Sequence, residues 1–410
     1  MSTNFLVVIP TRRRLATLRW ALKTCLDQDY DSFRVAVLVN ACTETAAWLR
    51  ELDDPRVSVM ESKADLPMTD NWERIFDTPV DPDTYVFFLG DDDGLLPGAL
   101  ACADRLLRHY GIPILNWEKA EYAWPDIILP AYRNYASLRL SSGIEIRESE
   151  PFLSAAHRLR ASYSDGPSIY SSFVRAALLQ QIREEAGHRF FRSCSPDVFS
   201  SFVLSSSVDR FVRCRFALSV NGASGRSNGI SYMHDFASST FTGTPIHPAI
   251  VHAPSVRIAD SDALLNARDA LPRRFAKYHF DFAALLAALA DDARRVGNSE
   301  RGVQLMAAID EIARRNGLAA PPTRVVPPAE NVAARDTGPR FGFIAKEGRL
   351  TIDLLRVGVT NVDGACKAIG MLNPLEQIAG GAPASAERRS PINRLASLCA
   401  SVLRKGFPNS

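Results

Sequence analysis

Short apolar runs and helical-period segments alternate over the first 115 residues, and this alternation limits the possible folds more than any other feature. Phe5 to Ile9 is an apolar strand closed by Pro10. Leu15, Leu18, Leu22, Cys25 and Leu26 then share one face of a helix. Val35 to Val39, Val57 to Met60, Tyr85 to Leu89 and Ile112 to Leu115 read as further strands. Helical stretches lie between them at Thr43 to Leu52, Asn71 to Phe76 and Pro97 to Tyr110. Repeated βα units with apolar strands imply an α/β protein whose mostly parallel sheet has helices on both faces. In such sheets ligands bind outside the carboxyl ends of the strands.

One of those strand ends carries unusual chemistry. The stretch YVFFLGDDDGLLPGAL runs from Tyr85 to Leu100, with Asp91, Asp92 and Asp93 just after the strand. Gly94 and Pro97 mark a turn into the next helix. Two carboxylates about 5 Å apart repel by roughly 3 kcal/mol at an effective dielectric of 20. Three side by side at a sheet edge need an answer: a divalent cation, solvent exposure or raised pKa values.

Beyond residue 120 the pattern is weaker. Ser168 to Ile182 reads as a strand or turn leading into a helix, and SCSPDVFSSFVL (Ser193 to Leu204) as a loop entering a helix with Asp197 in its first turn. Ser219 to Phe236 is rich in Gly, Ser and Asn and reads as a loop. Residues 261–317 are helical in pattern, with Leu285, Leu286, Leu289 and Val296 on one stripe and Val303 to Ala313 forming another. Two proline pairs, Pro321-Pro322 and Pro327-Pro328, mark a linker over 319–339.

Composition excludes some classes. The chain has 410 residues, 46% hydrophobic and 23% charged, which suits a globular protein with ample core. A net charge of +2 argues against a nucleic-acid partner held by phosphate attraction. Seven scattered cysteines form no C-x-x-C pair, as expected for reduced thiols in the cytoplasm. No stretch approaches the roughly 18 apolar residues of a membrane span. The N-terminal apolar run is followed rather than preceded by Arg12 to Arg14, unlike a signal peptide.

VVIPTRRR resembles the opening strand and P-T-x-x-R turn of family 2 glycosyltransferases with the GT-A fold. CLDQDYDSFRVAVLV is similar to their helix-to-strand passage, and NWERIF with YVFFLGDDDGLLPGAL to the segment and strand that carry the DxD metal motif. SPDVFSS falls where many members carry the catalytic aspartate. The resemblance covers roughly residues 4–240 and implies a GT-A domain over 1–245. After it come a helical extension (246–318), the linker (319–339), a small αβ appendage (340–379) and a basic tail (380–410).

The resemblance also implies the chemistry. A nucleotide-diphosphate sugar would donate to a hydroxyl of a glycan or glycolipid acceptor with inversion, with Mn²⁺ or Mg²⁺ neutralising the leaving group. Asp91 and Asp93 would hold the metal, joined by His234 in YMHDF. Asp197 would be the catalytic base, although Pro196 stands where the family usually has an acidic residue. Pro10, Thr11, Arg14, Asn40, Asn71, Asp91 and Asp92 would contact the donor. The family's usual base-binding aspartate is replaced by Val39, leaving Asn40 next to it.

The alanine- and arginine-rich composition suits a bacterial source, and with it assembly of a surface glycan in the cytoplasm. In the tail, Ile392, Leu395, Leu398, Cys399 and Val402 have helical spacing beside five basic residues. That pattern permits weak peripheral contact with an anionic membrane, the alternatives being docking on the protein itself or a disordered end. Two other functions compete. A nucleotidyltransferase would want a glycine-rich phosphate loop, which IPTRRRLATL lacks, whereas the Val39 departure suits a non-catalytic binding protein on the same scaffold.

Overall fold

Strand alternation builds two cores, one on each face of the main sheet. The computed structural model describes residues 2–234, 244–297, 299–321, 339–373 and 375. The eight-stranded main sheet has the spatial order β3 (Val57–Ser62), β2 (Phe33–Asn40), β1 (Phe5–Thr11), β4 (Tyr85–Phe88), β10 (Ser172–Arg175), β6 (Ile114–Trp117), β11 (Arg210–Cys214), β9 (Ile144–Glu148). The pairs β3–β2, β2–β1, β1–β4 and β6–β11 are parallel. Strand β10 runs antiparallel to both β4 and β6, and β9 is antiparallel to β11. The mostly parallel α/β architecture is therefore present.

Phe5, Val7, Ile9 and Phe87 pack on one face with Leu18, Leu22 and Cys25 of α1 (Leu15–Leu26). Val8, Leu38 and Phe88 point the other way, toward Trp72 of α3 (Met68–Glu73). Between these elements lies α2 (Thr43–Leu52), and α4 (Ala99–Tyr110) follows β4. Gly98 precedes α4 with φ of 76°, so the helix begins two residues after Pro97 rather than on it. The described cysteines are free thiols.

The second face is completed by helices from later in the chain. These are α5 (Ser149–His157), α6 (Ala176–Glu185), α7 (Pro196–Ser205), α9 (Val256–Ala270), α10 (Pro272–Phe275), α11 (Phe282–Val296) and α12 (Glu300–Arg315). The helical C-terminal region is thus present, with Leu285, Leu286 and Leu289 buried as their stripe implies. Val303 is exposed; Leu305, Ala308, Ile309 and Ile312 supply the buried face of α12.

Residues 219–234 depart from the loop reading given to 219–236, whose last two residues lie outside the described residues. Ser219–Ala223 forms β12, and Asn228–His234 forms α8. Strand β12 belongs to a second, six-stranded sheet ordered β13 (Gly342–Ile344), β14 (Arg349–Asp353), β8 (Tyr135–Arg139), β7 (Ala120–Ala123), β12, β5 (Gly94–Leu95). Small polar residues give no strand pattern by themselves, and here pairing with β7 and β5 supplies the ladder. Residues 342–372 join this same sheet through β14 and pack α13 (Val362–Leu372) into the core shared with α1. Most of the linker and the whole basic tail lie outside the described residues.

His157, at the end of α5, is buried. Its Nδ1–H donates to the Leu153 carbonyl at 2.7 Å, while Nε2 has no partner among the described residues. Burial pushes its pKa down to about 4 from 6.5. A protonated imidazole is therefore disfavoured in the fold, and the unfolded chain takes up the proton first. Stability from this group is complete above pH 6.5 and is lost as pH falls toward 4, by about 3 kcal/mol in all. Urea unfolding at pH 7 and pH 4.5 is expected to show a larger acid loss in wild type than in His157→Phe. Equal losses would remove this assignment.

Candidate functional site

The carboxyl ends of β1, β2 and β4 open into a cleft of about 970 Å³. Pro10, Thr11, Arg14, Asn40, Asn71, Asp91, Asp92 and Asp197 all line it. Of the other expected residues, Asp93 is not on its wall. His234 ends α8, but its side chain lies outside the described residues.

The three aspartates are buried and each is held differently. Asp91 accepts from Thr11 Oγ1 at 2.7 Å and from an Arg14 nitrogen at 3.1 Å. Asp92 Oδ2 accepts from the Ser224 hydroxyl at 2.6 Å and its amide at 3.2 Å. Asp93 accepts from the backbone amides of Gly222 at 2.6 Å and Gly90 at 3.2 Å, with the Tyr170 hydroxyl also bonded to it. Burial, and then the Asp93 charge, push the Asp92 carboxyl up. Burial raises Asp93 too, against the pull of Lys119 and the Gly222 amide. Burial opposes the charge on Arg14, but Asp91 and Asp92 more than offset it and hold the guanidinium charged.

This arrangement decides how a cation would sit. Among the described residues no group of three or more His, Cys, Asp or Glu side chains converges on one point. Asp93 is not on the cleft wall itself, and each of its carboxylate oxygens accepts from one backbone amide, Oδ1 from Gly222 and Oδ2 from Gly90. Asp91 and Asp92 do face the cleft, and Mg²⁺-type ions commonly take one or two carboxylates beside ligand phosphates. The residues present therefore fit an ion shared by Asp91, Asp92 and a bound diphosphate.

The other expected donor contacts are partly committed to the fold. Asn40 donates to the Leu66 carbonyl at 2.8 Å and accepts from the Leu66 amide at 2.9 Å. Asn71 donates to the Leu38 carbonyl at 3.2 Å and accepts from Arg74 at 2.9 Å. Arg14 also bonds Asn228 at 3.0 Å and the Arg226 carbonyl, which ties the end of β1 to the start of α8.

Asp197 lies in the first turn of α7, behind Pro196. Its backbone carbonyl accepts from the hydroxyls of Ser168 and Ser200, at 2.8 and 2.6 Å, and these bonds fix the turn. Burial raises the pKa of its carboxyl; Lys119 and the amides of Val198 and Asp197 itself pull the other way. A raised carboxylate pKa brings proton affinity nearer neutral pH, which suits a base.

Several cleft residues carried no motif. Lys119 follows β6, donates to Asn221 at 3.0 Å and sits 4.5 Å above the Tyr170 ring. Burial lowers its pKa, while the charges of Asp93, Asp197 and Glu121 raise it. Tyr170 stacks on Trp72, which stacks on Phe88. Asp260 of α9 lines the cleft as well. Lys119 was legible in principle, because it too stands just beyond the carboxyl end of a strand. Asp260 lies just before the helical pattern read from residue 261 and gave no local signal.

The chain matches no protein-family model and no curated protein. Among solved structures it is similar to S. aureus TarS 1–349 in complex with UDP-GlcNAc, at 11% identity and a TM-score of 0.46, covering 78% of this chain and 82% of that one. It is also similar to the mannosyltransferase PcManGT from Pyrobaculum calidifontis in complex with GDP-Man and Mn²⁺, at 14% identity and a TM-score of 0.38, over 77% of this chain and 87% of that one. Likenesses of this size settle neither family nor activity. Among the described residues no helix is long and apolar enough to cross a membrane.

Proposed function

We propose that the chain is an inverting glycosyltransferase of the family 2, GT-A type, moving a sugar from a nucleoside-diphosphate donor to a hydroxyl acceptor. The observation that carries this is the joining of Asp91, Thr11 and Arg14 with Asp197 in one cleft at the strand ends. The acceptor hydroxyl would attack the anomeric carbon, the bond to the diphosphate oxygen would break, and the hydroxyl proton would pass to the Asp197 carboxylate. Pro10, Thr11 and Arg14 would face the nucleotide and phosphates, and Asp91 and Asp92 the sugar-diphosphate. Mn²⁺ or Mg²⁺, when bound, would neutralise charge on the departing diphosphate. A glycan or glycolipid acceptor, bacterial surface-glycan assembly and a cytoplasmic site of action belong to the same reading.

Thermal shift with UDP, GDP and dTDP, each with and without Mn²⁺, tests it. One nucleotide at 100 times its Kd is expected to stabilise the protein by about 2.7 kcal/mol, with a smaller effect when the metal is chelated. Arg14→Ala should abolish the shift, because it leaves Asp91 without its cationic partner beside the incoming phosphates. No shift with any nucleotide, and no hydrolysis of the corresponding sugar donors, would defeat the proposal.

A further inference from the structure

Asp260 has no part in the site as the motifs define it, yet it lines the same cleft as Asp197. It lies in the second turn of α9, which packs against α7. Its Oδ1 is buried and has no hydrogen-bond partner among the described residues. Burial pushes its carboxyl up to about 7; the Ser162 hydroxyl and the Tyr163 amide lower it, the Asp197 charge raises it, and Arg257 lowers it slightly. Arg257 is itself shared with Asp292 at 3.6 Å.

The fold orders the cleft. Asp260 sits on α9, which packs against α7, so its carboxylate and that of Asp197 belong to two neighbouring helices on the cleft wall, whereas Asp91 and Asp92 lie after the carboxyl end of β4. A buried oxygen without a donor is costly to keep, and a ligand hydroxyl is a natural donor for it.

We infer that Asp260 binds the acceptor: its free Oδ1 accepts a hydrogen bond from the hydroxyl neighbouring the one that attacks, so that the acceptor carries vicinal hydroxyls, as pyranosides do. This rests on the reading of Asp197 as the base. Two adjacent hydroxyls would then meet two carboxylates, one taking a proton in the reaction and the other fixing which hydroxyl is presented. Asp260 is a specificity-determining residue in this scheme, and the selectivity follows from leaving its oxygen unpaired when the neighbouring hydroxyl is missing.

The test first finds the sugar donor that wild type hydrolyses among UDP-, GDP- and dTDP-sugars. That donor is then offered with a panel of methyl pyranosides and their monodeoxy analogues, to wild type, Asp260→Asn and Asp260→Ala. Wild type is expected to lose about 10-fold or more in kcat/KM when the neighbouring hydroxyl is removed. Asp260→Ala should lose a similar factor on the parent pyranoside and nothing further on the deoxy analogue. A nucleoside-diphosphate thermal shift in both variants confirms that they fold. Full discrimination persisting in Asp260→Ala, or no methyl pyranoside accepted by wild type, overturns the inference while leaving donor hydrolysis and the transfer reading intact. Absence of donor hydrolysis in wild type would overturn that reading and this inference together.

Discussion

Asp197→Asn is expected to lower the transfer rate by about 10²–10⁴-fold while nucleoside-diphosphate affinity stays near wild type. The replacement keeps size and removes the proton acceptor. The carboxylate lies in the first turn of α7, where the Ser168 and Ser200 hydroxyls hold the backbone carbonyl of the same residue. Those bonds do not involve the side chain, so the turn should survive. A base acts in the transition state, and its loss should appear in kcat rather than in donor binding. Isothermal titration with the nucleotide and initial rates with the sugar donor would separate the two. Lost affinity with unchanged turnover would place Asp197 in the donor pocket instead.

Gly222→Ala should be the most damaging small substitution near the cleft. A Cβ at Gly222 would lie 1.8 Å from the Asp92 carbonyl oxygen and 2.8 Å from Trp124 Nε1. The Asp92 carbonyl already accepts from that indole at 2.9 Å, and the Gly222 amide holds Asp93 at 2.6 Å. Backbone cannot give way by rotamer change, so β12 would have to leave the aspartate segment. The expected cost is about 3 kcal/mol or more, with nucleotide binding lost. Gly229→Ala is the control, since nothing lies within 4 Å of a Cβ there. Chemical unfolding and thermal shift of the two variants would check this, and equal stability would refute it.

The difference between Asp91 and Asp93 shows where sequence reasoning stops. In DDDG the three aspartates are chemically alike, and a strand end with a turn was enough to place all three at the sheet edge. Their roles depend on residues 77 to 132 positions away. Gly222 and Ser224 reach back to Asp93 and Asp92, whereas Thr11 and Arg14 claim Asp91. Asn40 makes the same point, because its amide is occupied by Leu66, which lies beyond α2 and β3 in the chain.

The sequence by itself determined the βα alternation, the positions of β1 to β4 along the chain, the helical C-terminal region and the strand end that carries the carboxylates. Those are local properties, set by periodicity, by β-branched and aromatic runs and by turn residues. Only the tertiary structure decided that 219–223 is a strand, that residues 342–372 share its sheet, that Gly222 holds Asp93 and that Asp260 lines one cleft with Asp197. The physical reason is the same in each case. Small polar residues become strands, and carboxylates acquire distinct proton affinities, through partners that lie far along the chain and are brought close only by packing.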